Sequence, residues 1–98
     1  MITRIVKMTF NPTRVPEFLV LFEKNKKHIA SFEGCKHLEL LNDIDYTNIF
    51  FTYSIWHDEK YLEDYRTSNL FNTVWSETKI LFEAKPEVWT VRTVDSKK

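Results

Sequence analysis

Asn48–Phe71, with the sequence NIFFTYSIWHDEKYLEDYRTSNLF, is the stretch that decides the fold. Its N-terminal part is rich in the aromatic and β-branched residues that favour strands. Successive side chains of a strand point to opposite faces, and here both faces are apolar. A strand of this kind lies inside a sheet and is covered on both sides. One face carries Ile49, Phe51, Tyr53 and Ile55, and the other carries Phe50, Thr52, Ser54 and Trp56.

The whole sequence predicts the order strand, helix, strand, strand, helix, helix, strand. Alternating apolar residues indicate the strands, and apolar residues three or four positions apart indicate the helices. The predicted strands are Ile2–Phe10, Lys36–Leu41, Asn48–Trp56 and Val88–Val94. The predicted helices run from Thr13 towards Gly34, over His57–Arg66, and from Thr67 or Ser68 towards Lys85 and Pro86.

Residues with special backbone preferences mark the ends of these elements. Thr13 is the predicted N-cap of the first helix, and Pro16 falls in its first turn, where a missing N–H costs little. Gly34 is the only glycine in the chain, and we expect it to take the left-handed conformation just after that helix. The polar residues 42–47 predict a hairpin loop between the second and third strands.

This order of elements predicts an α+β, ferredoxin-like domain, which is a four-stranded antiparallel sheet with all helices on one face. The spatial strand order 4-1-3-2 places the first and third strands in the centre. Helices on one face leave the other face bare, although the third strand is apolar on both. Soluble monomers seldom expose so large an apolar patch, so we expect a homodimer in which two sheets pack face to face.

Composition narrows the classes of partner and location. The chain has 98 residues and is expected to form one domain, 1–98, with a frayed tail at 95–98. Fourteen basic and fourteen acidic residues cancel, which argues against a nucleic-acid partner. No apolar run is long enough to span a membrane, and no signal peptide is evident. Together with the single cysteine, Cys35, these features predict a soluble cytoplasmic protein.

Several kinds of reactive site are missing from the sequence. It has no glycine-rich loop for phosphates or dinucleotides and no serine in a nucleophile elbow. His28, His37 and His57 lack metal-ligand spacing, and although His37 and Glu39 would share a strand face, two ligands do not close a metal site. Cys35 follows a helix C-terminus, which raises a thiol pKa, so no reactive thiolate is expected.

Five short motifs are spread over nearly the whole chain. They are Phe18 with Phe22, Phe32-Glu33-Gly34-Cys35, Glu39-Leu40-Leu41-Asn42-Asp43, Tyr53-Ser54-Ile55-Trp56, and Leu62 followed by Tyr65-Arg66-Thr67-Ser68 and Phe71. In this order and spacing they resemble the antibiotic biosynthesis monooxygenase domain of the dimeric α+β barrel superfamily. The resemblance implies oxidation of an electron-rich aromatic by O₂, usually without metal or flavin. It also implies a substrate pocket between the sheet and the helices of each subunit.

The sequence departs from this family at the residues that carry its chemistry. Many members have a histidine nine residues after the tryptophan that ends the third strand, and here that position is Tyr65. In the haem-degrading branch a histidine lies near the position of Trp75 and an asparagine near that of Val6, and neither is present. Haem binding is therefore the least favoured of the functions that the resemblance implies.

An aromatic-lined space is the candidate site. The predicted substrate-binding residues are Met8, Tyr53, Phe71 and Trp75, and the predicted catalytic residues are Tyr65 and His37. Tyr53 or Tyr65 would hydrogen-bond a phenol or quinol oxygen, and Trp75 would stack on the ring. Tyrosine is a poor base because its unperturbed pKa is near 10, so an efficient oxygenase requires His37 to reach the pocket. Plain core packing is the alternative role of each aromatic residue.

Two functions of different classes follow. The first is a cofactor-independent monooxygenase that acts on a small aromatic or quinol, with no cofactor expected. The second is a non-catalytic dimeric module that binds a small apolar ligand or has a structural role. Oxygen uptake with an anthrone-like or menadiol-like substrate distinguishes the two, because only the first consumes O₂.

Overall fold

The computed structural model describes residues 1–97. Within this range it has four strands and three α-helices, and a 3₁₀ turn at Pro12–Arg14 precedes the first α-helix. None of these helices is long and apolar enough to cross a membrane. The strands are β1 (Ile2–Thr9), β2 (Cys35–Asn42), β3 (Ile49–Trp56) and β4 (Glu87–Val91), and the helices are α1 (Val15–Ala30), α2 (Glu59–Arg66) and α3 (Asn69–Lys79).

The strands form one antiparallel sheet in the spatial order β2-β3-β1-β4, which confirms the predicted order. β1 pairs with β3 from Ile2 opposite Trp56 to Thr9 opposite Ile49. The other edge of β1 pairs with β4, and β2 lies beside β3. The predicted α+β, ferredoxin-like sheet is therefore confirmed, with β1 and β3 in its centre.

The pleat divides the sheet into two faces. The inner face, which the helices cover, carries Arg4, Val6, Met8, Leu38, Leu40, Phe50, Thr52, Ser54, Trp56, Val88 and Thr90. The outer face carries Thr3, Ile5, Lys7, His37, Glu39, Leu41, Ile49, Phe51, Tyr53, Ile55, Glu87, Trp89 and Val91. On β3 three of the four inner residues are buried, whereas all four outer ones keep partial exposure, so the predicted alternation is confirmed.

The core lies between the inner face and α1. Phe10 is fully buried just after β1, and its ring stacks on that of Phe18 from α1, with 4.1 Å between the ring centroids. Aromatic rings contribute large buried areas, which a domain of this size needs. The buried cluster consists of Met8, Phe10, Phe18, Phe50 and Leu81.

The start of the first helix differs from the prediction. The Oδ1 atom of Asn11, not a Thr13 oxygen, caps this end, because it accepts a hydrogen bond from the Thr13 N–H at 3.0 Å. The residue after Asn11 is a proline without an N–H, so Thr13 supplies the first donor that this side chain can reach. The cap starts the 3₁₀ turn, and α1 then begins at Val15 with Pro16 in its first turn, as predicted.

Gly34 has the predicted left-handed backbone but does not cap α1. The helix already ends at Ala30. Gly34, with φ of 87°, is the third residue of a turn that the Cys35 N–H closes by donating to the Phe32 carbonyl at 2.9 Å. A positive φ at this turn position favours glycine, so the residue shapes the entry into β2 rather than the helix end.

The last helix is shorter than predicted. α3 ends at Lys79 rather than near Lys85. Beyond it the backbone of Phe82 forms an isolated antiparallel bridge with that of Phe10. Pairing with the chain beyond β1 therefore replaces the last helical turn, although the apolar spacing of the helix continues through Phe82.

The last strand is also shorter than predicted. β4 ends at Val91 rather than Val94. Val91 pairs with Thr3, which lies next to the first residue of β1, so the central strand offers little further backbone for pairing. The frayed tail expected at 95–98 stays a prediction, and its last residue, Lys98, lies outside the described residues.

Ser68 is the N-cap of α3, and its Oγ accepts a hydrogen bond from the Phe71 N–H at 3.1 Å. We expect Ser68→Ala to lower the free energy of unfolding by about 1 kcal/mol, because that N–H loses its partner. Urea denaturation measures the change. Ser76→Ala, in the exposed middle of the same helix, is the matched control and should change the value by less than about 0.5 kcal/mol. Equal losses in both variants would contradict the capping role.

Candidate functional site

A cavity of about 280 Å³ lies between the inner face and the three helices. Its volume is at the lower end of the range of about 300–1,000 Å³ that is typical of small-molecule sites. The sheet side includes Arg4, Val6, Met8, Thr52, Ser54 and Trp56. The helix side includes Leu62, Tyr65, Arg66, Phe71, Val74 and Trp75.

Aromatic rings form a continuous wall of this cavity. The Tyr65 ring stacks on Trp56 with 5.0 Å between centroids and 25° between planes. Phe71 meets Tyr65 edge-on at 5.3 Å and stacks on Trp75 at 5.9 Å. Such ring geometries are favourable beyond the area they bury. The wall therefore offers flat apolar surfaces that suit an aromatic ligand.

α2 holds Tyr65 in this wall. Asp58 caps the helix, because its Oδ1 accepts a hydrogen bond from the Lys60 N–H at 2.9 Å. Leu62, Tyr65 and Arg66 are spaced three and four residues apart, so they share one face of the helix. That face lines the cavity.

The Tyr65 hydroxyl is a neutral hydrogen-bond donor at physiological pH. Burial, with a smaller contribution from the neighbouring Cys35, raises the pKa of Tyr65 to about 12. Ser54, another cavity residue, already accepts a hydrogen bond from the Trp56 Nε1–H at 3.0 Å. Tyr65 can therefore donate to a ligand oxygen, but it cannot act as a base near pH 7.

Two arginines are the other ionisable residues among the cavity-lining residues of 1–97. The Arg4 Nη1–H donates to Thr90 Oγ1 at 2.7 Å, and the Arg66 Nη1–H donates to Glu63 Oε2 at 3.2 Å. Burial and the nearby charge of Arg66 lower the pKa of Arg4, whereas Glu63 acts in the opposite direction. The cavity thus combines aromatic walls with a positive rim.

The structure brings four of the six predicted site residues to the cavity. They are Met8, Tyr65, Phe71 and Trp75. Met8 comes from β1, Tyr65 from α2 and the other two from α3, so the fold gathers residues that are far apart in the sequence.

The structure places the other two predicted site residues, Tyr53 and His37, on the outer face, which corrects the expectation that they share the ligand space. The outer position of Tyr53 follows from the pleat of β3, because Tyr53 alternates with the inner residues of this strand. His37 alternates with Leu38 and Leu40 of the inner face and pairs with Ile55 of the outer face. Its ring lies 6.1 Å from that of Tyr53.

Two further sequence interpretations concern His37 and Cys35. His37 and Glu39 share a face as predicted, with 2.8 Å between Nε2 and Oε1. In the part of the chain that the structure describes, no three His, Cys, Asp or Glu side chains are grouped to hold a metal ion. Burial raises the pKa of the Cys35 thiol, which keeps it protonated.

Two cavity residues, Arg4 and Arg66, are not among the predicted site residues. Arg4 alternates with Val6 and Met8, so the strand period already places it on the face of Met8. Arg66 lies four residues after Leu62, so the helix spacing places it on the same face of α2. Strand alternation and helix spacing therefore suffice to place both arginines on the faces that line the cavity.

Residues 1–74 match the family model described as antibiotic biosynthesis monooxygenase. The chain belongs to the antibiotic biosynthesis monooxygenase family. The matched range includes β1, α1, β2, β3 and α2, which supply most of the cavity. Membership in this monooxygenase family agrees with the resemblance inferred from the five motifs.

Solved structures share the fold of this antibiotic biosynthesis monooxygenase family member at low sequence identity. A structure titled antibiotic biosynthesis monooxygenase has a TM-score of 0.90 and 16% identity, covering 97% of this chain and 100% of its own. A conserved protein from Methanosarcina mazei has a TM-score of 0.87 and 22% identity, covering 94% and 92%. A Mycobacterium tuberculosis protein has a TM-score of 0.88 and 13% identity, covering 99% and 98%. None of the curated protein sequences matches this chain.

Proposed function

We propose that the protein is a cofactor-independent monooxygenase that oxidises a small aromatic or quinol-type substrate in the cavity. The observation that carries the proposal is the aromatic wall of Tyr65, Phe71 and Trp75 around a space of about 280 Å³. An aromatic substrate would stack against these rings while the Tyr65 hydroxyl donates to a substrate oxygen. Family membership supports the same reaction class.

The reaction can be written for an anthrone, a tricyclic ketone with one reactive CH₂ group. Loss of a proton from this CH₂ gives an anion, which passes one electron to O₂, and the two radicals combine to a peroxide. The peroxide then loses water and leaves a C=O group. One O₂ thus supplies the oxygen atom of the product and that of the water, and the CH₂ carbon is the reductant.

The cavity favours the substrate anion without supplying a base. No carboxylate or imidazole is among its lining residues within 1–97. The charges of Arg4 and Arg66 stabilise an anion, and the Tyr65 hydroxyl can donate to its oxygen. Apolar walls exclude water and strengthen both interactions. Since the lining within 1–97 supplies no base, we expect the substrate to lose its proton to solvent, so the rate rises with pH through the ionisation of the substrate.

Oxygen consumption with an anthrone tests the proposed reaction. We expect wild-type protein to exceed the buffer rate and Tyr65→Phe to be slower by about tenfold or more, because a donor to the developing oxyanion is lost. Tyr61→Phe on the same helix is the matched control, since Tyr61 is not among the cavity-lining residues, and it should keep the wild-type rate. A wild-type rate equal to that of buffer would overturn the proposal.

Within residues 1–97 no base lines the cavity, which favours a second candidate, a binding module without turnover. Such a module would bind the same flat molecules in the same cavity. Ligand at about 100 times its Kd should then raise the free energy of unfolding by roughly 2.7 kcal/mol, with no oxygen consumption. No histidine lines the cavity within residues 1–97, so a histidine ligand for haem is lacking there.

Homodimerisation through the outer face is part of the proposal. Ile5 lies at the centre of this face, paired with Tyr53 on one side and Trp89 on the other. Trp89 and Val91 are 43% and 44% exposed, although both are large apolar residues. A second copy related by a two-fold axis would cover this apolar patch and remove it from water.

A further inference from the structure

The cavity adjoins a polar groove at the protein surface, and the residues shared by the two are mostly basic. Arg4, Leu62 and Arg66 line both spaces. The groove is otherwise lined by Glu59, Lys60, Glu63 and Thr90. The arginines therefore lie where an apolar space meets a charged one. A ligand that occupies the cavity presents its outer end to these two side chains.

Arg4 has spare hydrogen-bonding capacity at this junction. It is half-buried on the inner face of the central strand β1, and its Nη1–H donates to Thr90 Oγ1. A guanidinium carries five N–H donors and no acceptor. None of the ion pairs formed within residues 1–97 includes Arg4. The remaining donors of this partly desolvated guanidinium can bind an anionic group that arrives with a ligand.

Arg66 adds a second positive charge at this junction, and its ion pair with Glu63 neutralises that charge only weakly. Arg4 and Arg66 line both the cavity and the groove, and after burial the charge of Arg66 contributes to the lowered pKa of Arg4. Glu63 accepts from Arg66 at 3.2 Å, but its side chain is 63% exposed. An exposed pair of this kind contributes little. Two arginines thus share one solvent-screened carboxylate, and an anion placed between them would relieve their repulsion.

We infer that the ligand is an aromatic carboxylate whose ring lies in the cavity and whose carboxylate binds Arg4 and Arg66 at the junction with the groove. The planar fork of a guanidinium matches the two oxygens of a carboxylate. This inference rests on the proposed function for the aromatic ring and adds the anionic substituent. The carboxylate fixes the orientation, so that the far end of the ring reaches the wall formed by Tyr65 and Phe71.

Titration calorimetry with 2-naphthoate and 2-naphthamide tests the inference, because the two probes differ in charge but hardly in shape. We expect wild-type protein to bind the carboxylate about ten- to a hundredfold more tightly, as charge-assisted hydrogen bonds suggest. The ratio should fall as sodium chloride is added, because salt screens charges at this partly exposed junction. The measurement requires no turnover.

Three variants connect the preference to the arginines. Arg4→Gln and Arg66→Gln should each reduce the naphthoate-to-naphthamide affinity ratio by about tenfold, because a charge-assisted hydrogen bond to naphthoate loses more than a neutral one to naphthamide. Arg66 is 44% exposed at its side chain, so its variant serves even if Arg4→Gln fails to fold. Lys60→Gln is the matched control, because Lys60 lines the groove but bonds Asp64 at 3.0 Å, and it should keep the wild-type ratio.

The outcomes separate this inference from the proposed function. A preference for naphthoate that both arginine variants weaken supports the inference, whether or not the protein consumes O₂. Equal binding of the two probes by wild-type protein overturns it and leaves the aromatic cavity of the proposed function intact. Binding of neither probe overturns it together with the proposed ligand cavity.

Discussion

Ile5→Asp is expected to convert a homodimer into a folded monomer of 11.8 kDa at micromolar concentration. Ile5 lies on the central strand between Tyr53 and Trp89, so the proposed interface would bury it. A two-fold axis brings the substitution into the interface twice. Each copy loses roughly 1.5–3 kcal/mol of apolar burial and adds a carboxylate that is costly to bury. The dissociation constant of the dimer should therefore rise by more than about a thousandfold.

Light scattering on size-exclusion eluates measures the mass, and circular dichroism checks that the variant is folded. Val20→Asp is the matched control, because Val20 is 69% exposed on α1, on the opposite side of the molecule from the outer face. It should retain the wild-type mass. A wild-type mass of one chain would refute the dimer, and a dimeric Ile5→Asp protein would place the interface elsewhere.

Gly34→Ala is expected to lower the free energy of unfolding by about 2–5 kcal/mol. The backbone φ of 87° disfavours any residue with a Cβ by about 1–2 kcal/mol. The added Cβ would also overlap the Cβ and ring of Tyr61, which forces α2 away from the turn and adds about 1–3 kcal/mol. The Gly34 carbonyl accepts a hydrogen bond from the His57 N–H at 2.8 Å, so the strain reaches the start of α2.

Thermal and urea denaturation measure the effect of Gly34→Ala, and a loss of this size should lower the Tm by at least about 10 °C. Glu33→Ala is the matched control, since it changes an exposed residue of the same turn that has no positive φ. It should stay within about 0.5 kcal/mol of wild type. Because α2 also carries Tyr65, the Gly34 variant should weaken ligand binding too. A Gly34→Ala protein as stable as wild type would show that α2 moves away from the added Cβ with no loss of stability.

The fold could be predicted because its main signal is local. Alternating side chains on β3 fix which residues face the helices, and apolar spacing fixes the helix faces. The ends of elements were less predictable, because tertiary pairing decides them. The bridge between Phe10 and Phe82 limits α3, and the pairing of Val91 with Thr3 limits β4.

The site could be predicted only in part. The helix residue Tyr65 and the strand residue Met8 follow from periodicity, and both line the cavity. His37 does not, because it alternates with Leu38 and Leu40, whose apolar side chains face the helices. Alternation places Arg4 on the same strand face as Met8, but a charged side chain facing a core is rare, so its residue type argues against that position.

The strand β3 contributes Thr52 and Ser54 to the cavity and Tyr53 and Ile55 to the opposite side of the sheet. Even-numbered positions of this segment thus face the cavity, and odd-numbered positions face the proposed dimer interface. In the proposed dimer, substitutions at the even positions would change the ligand cavity and leave the contact between the subunits intact. A recombination event that shifts this segment by one residue would instead turn the cavity-facing side chains to the outer face and the outer side chains to the cavity.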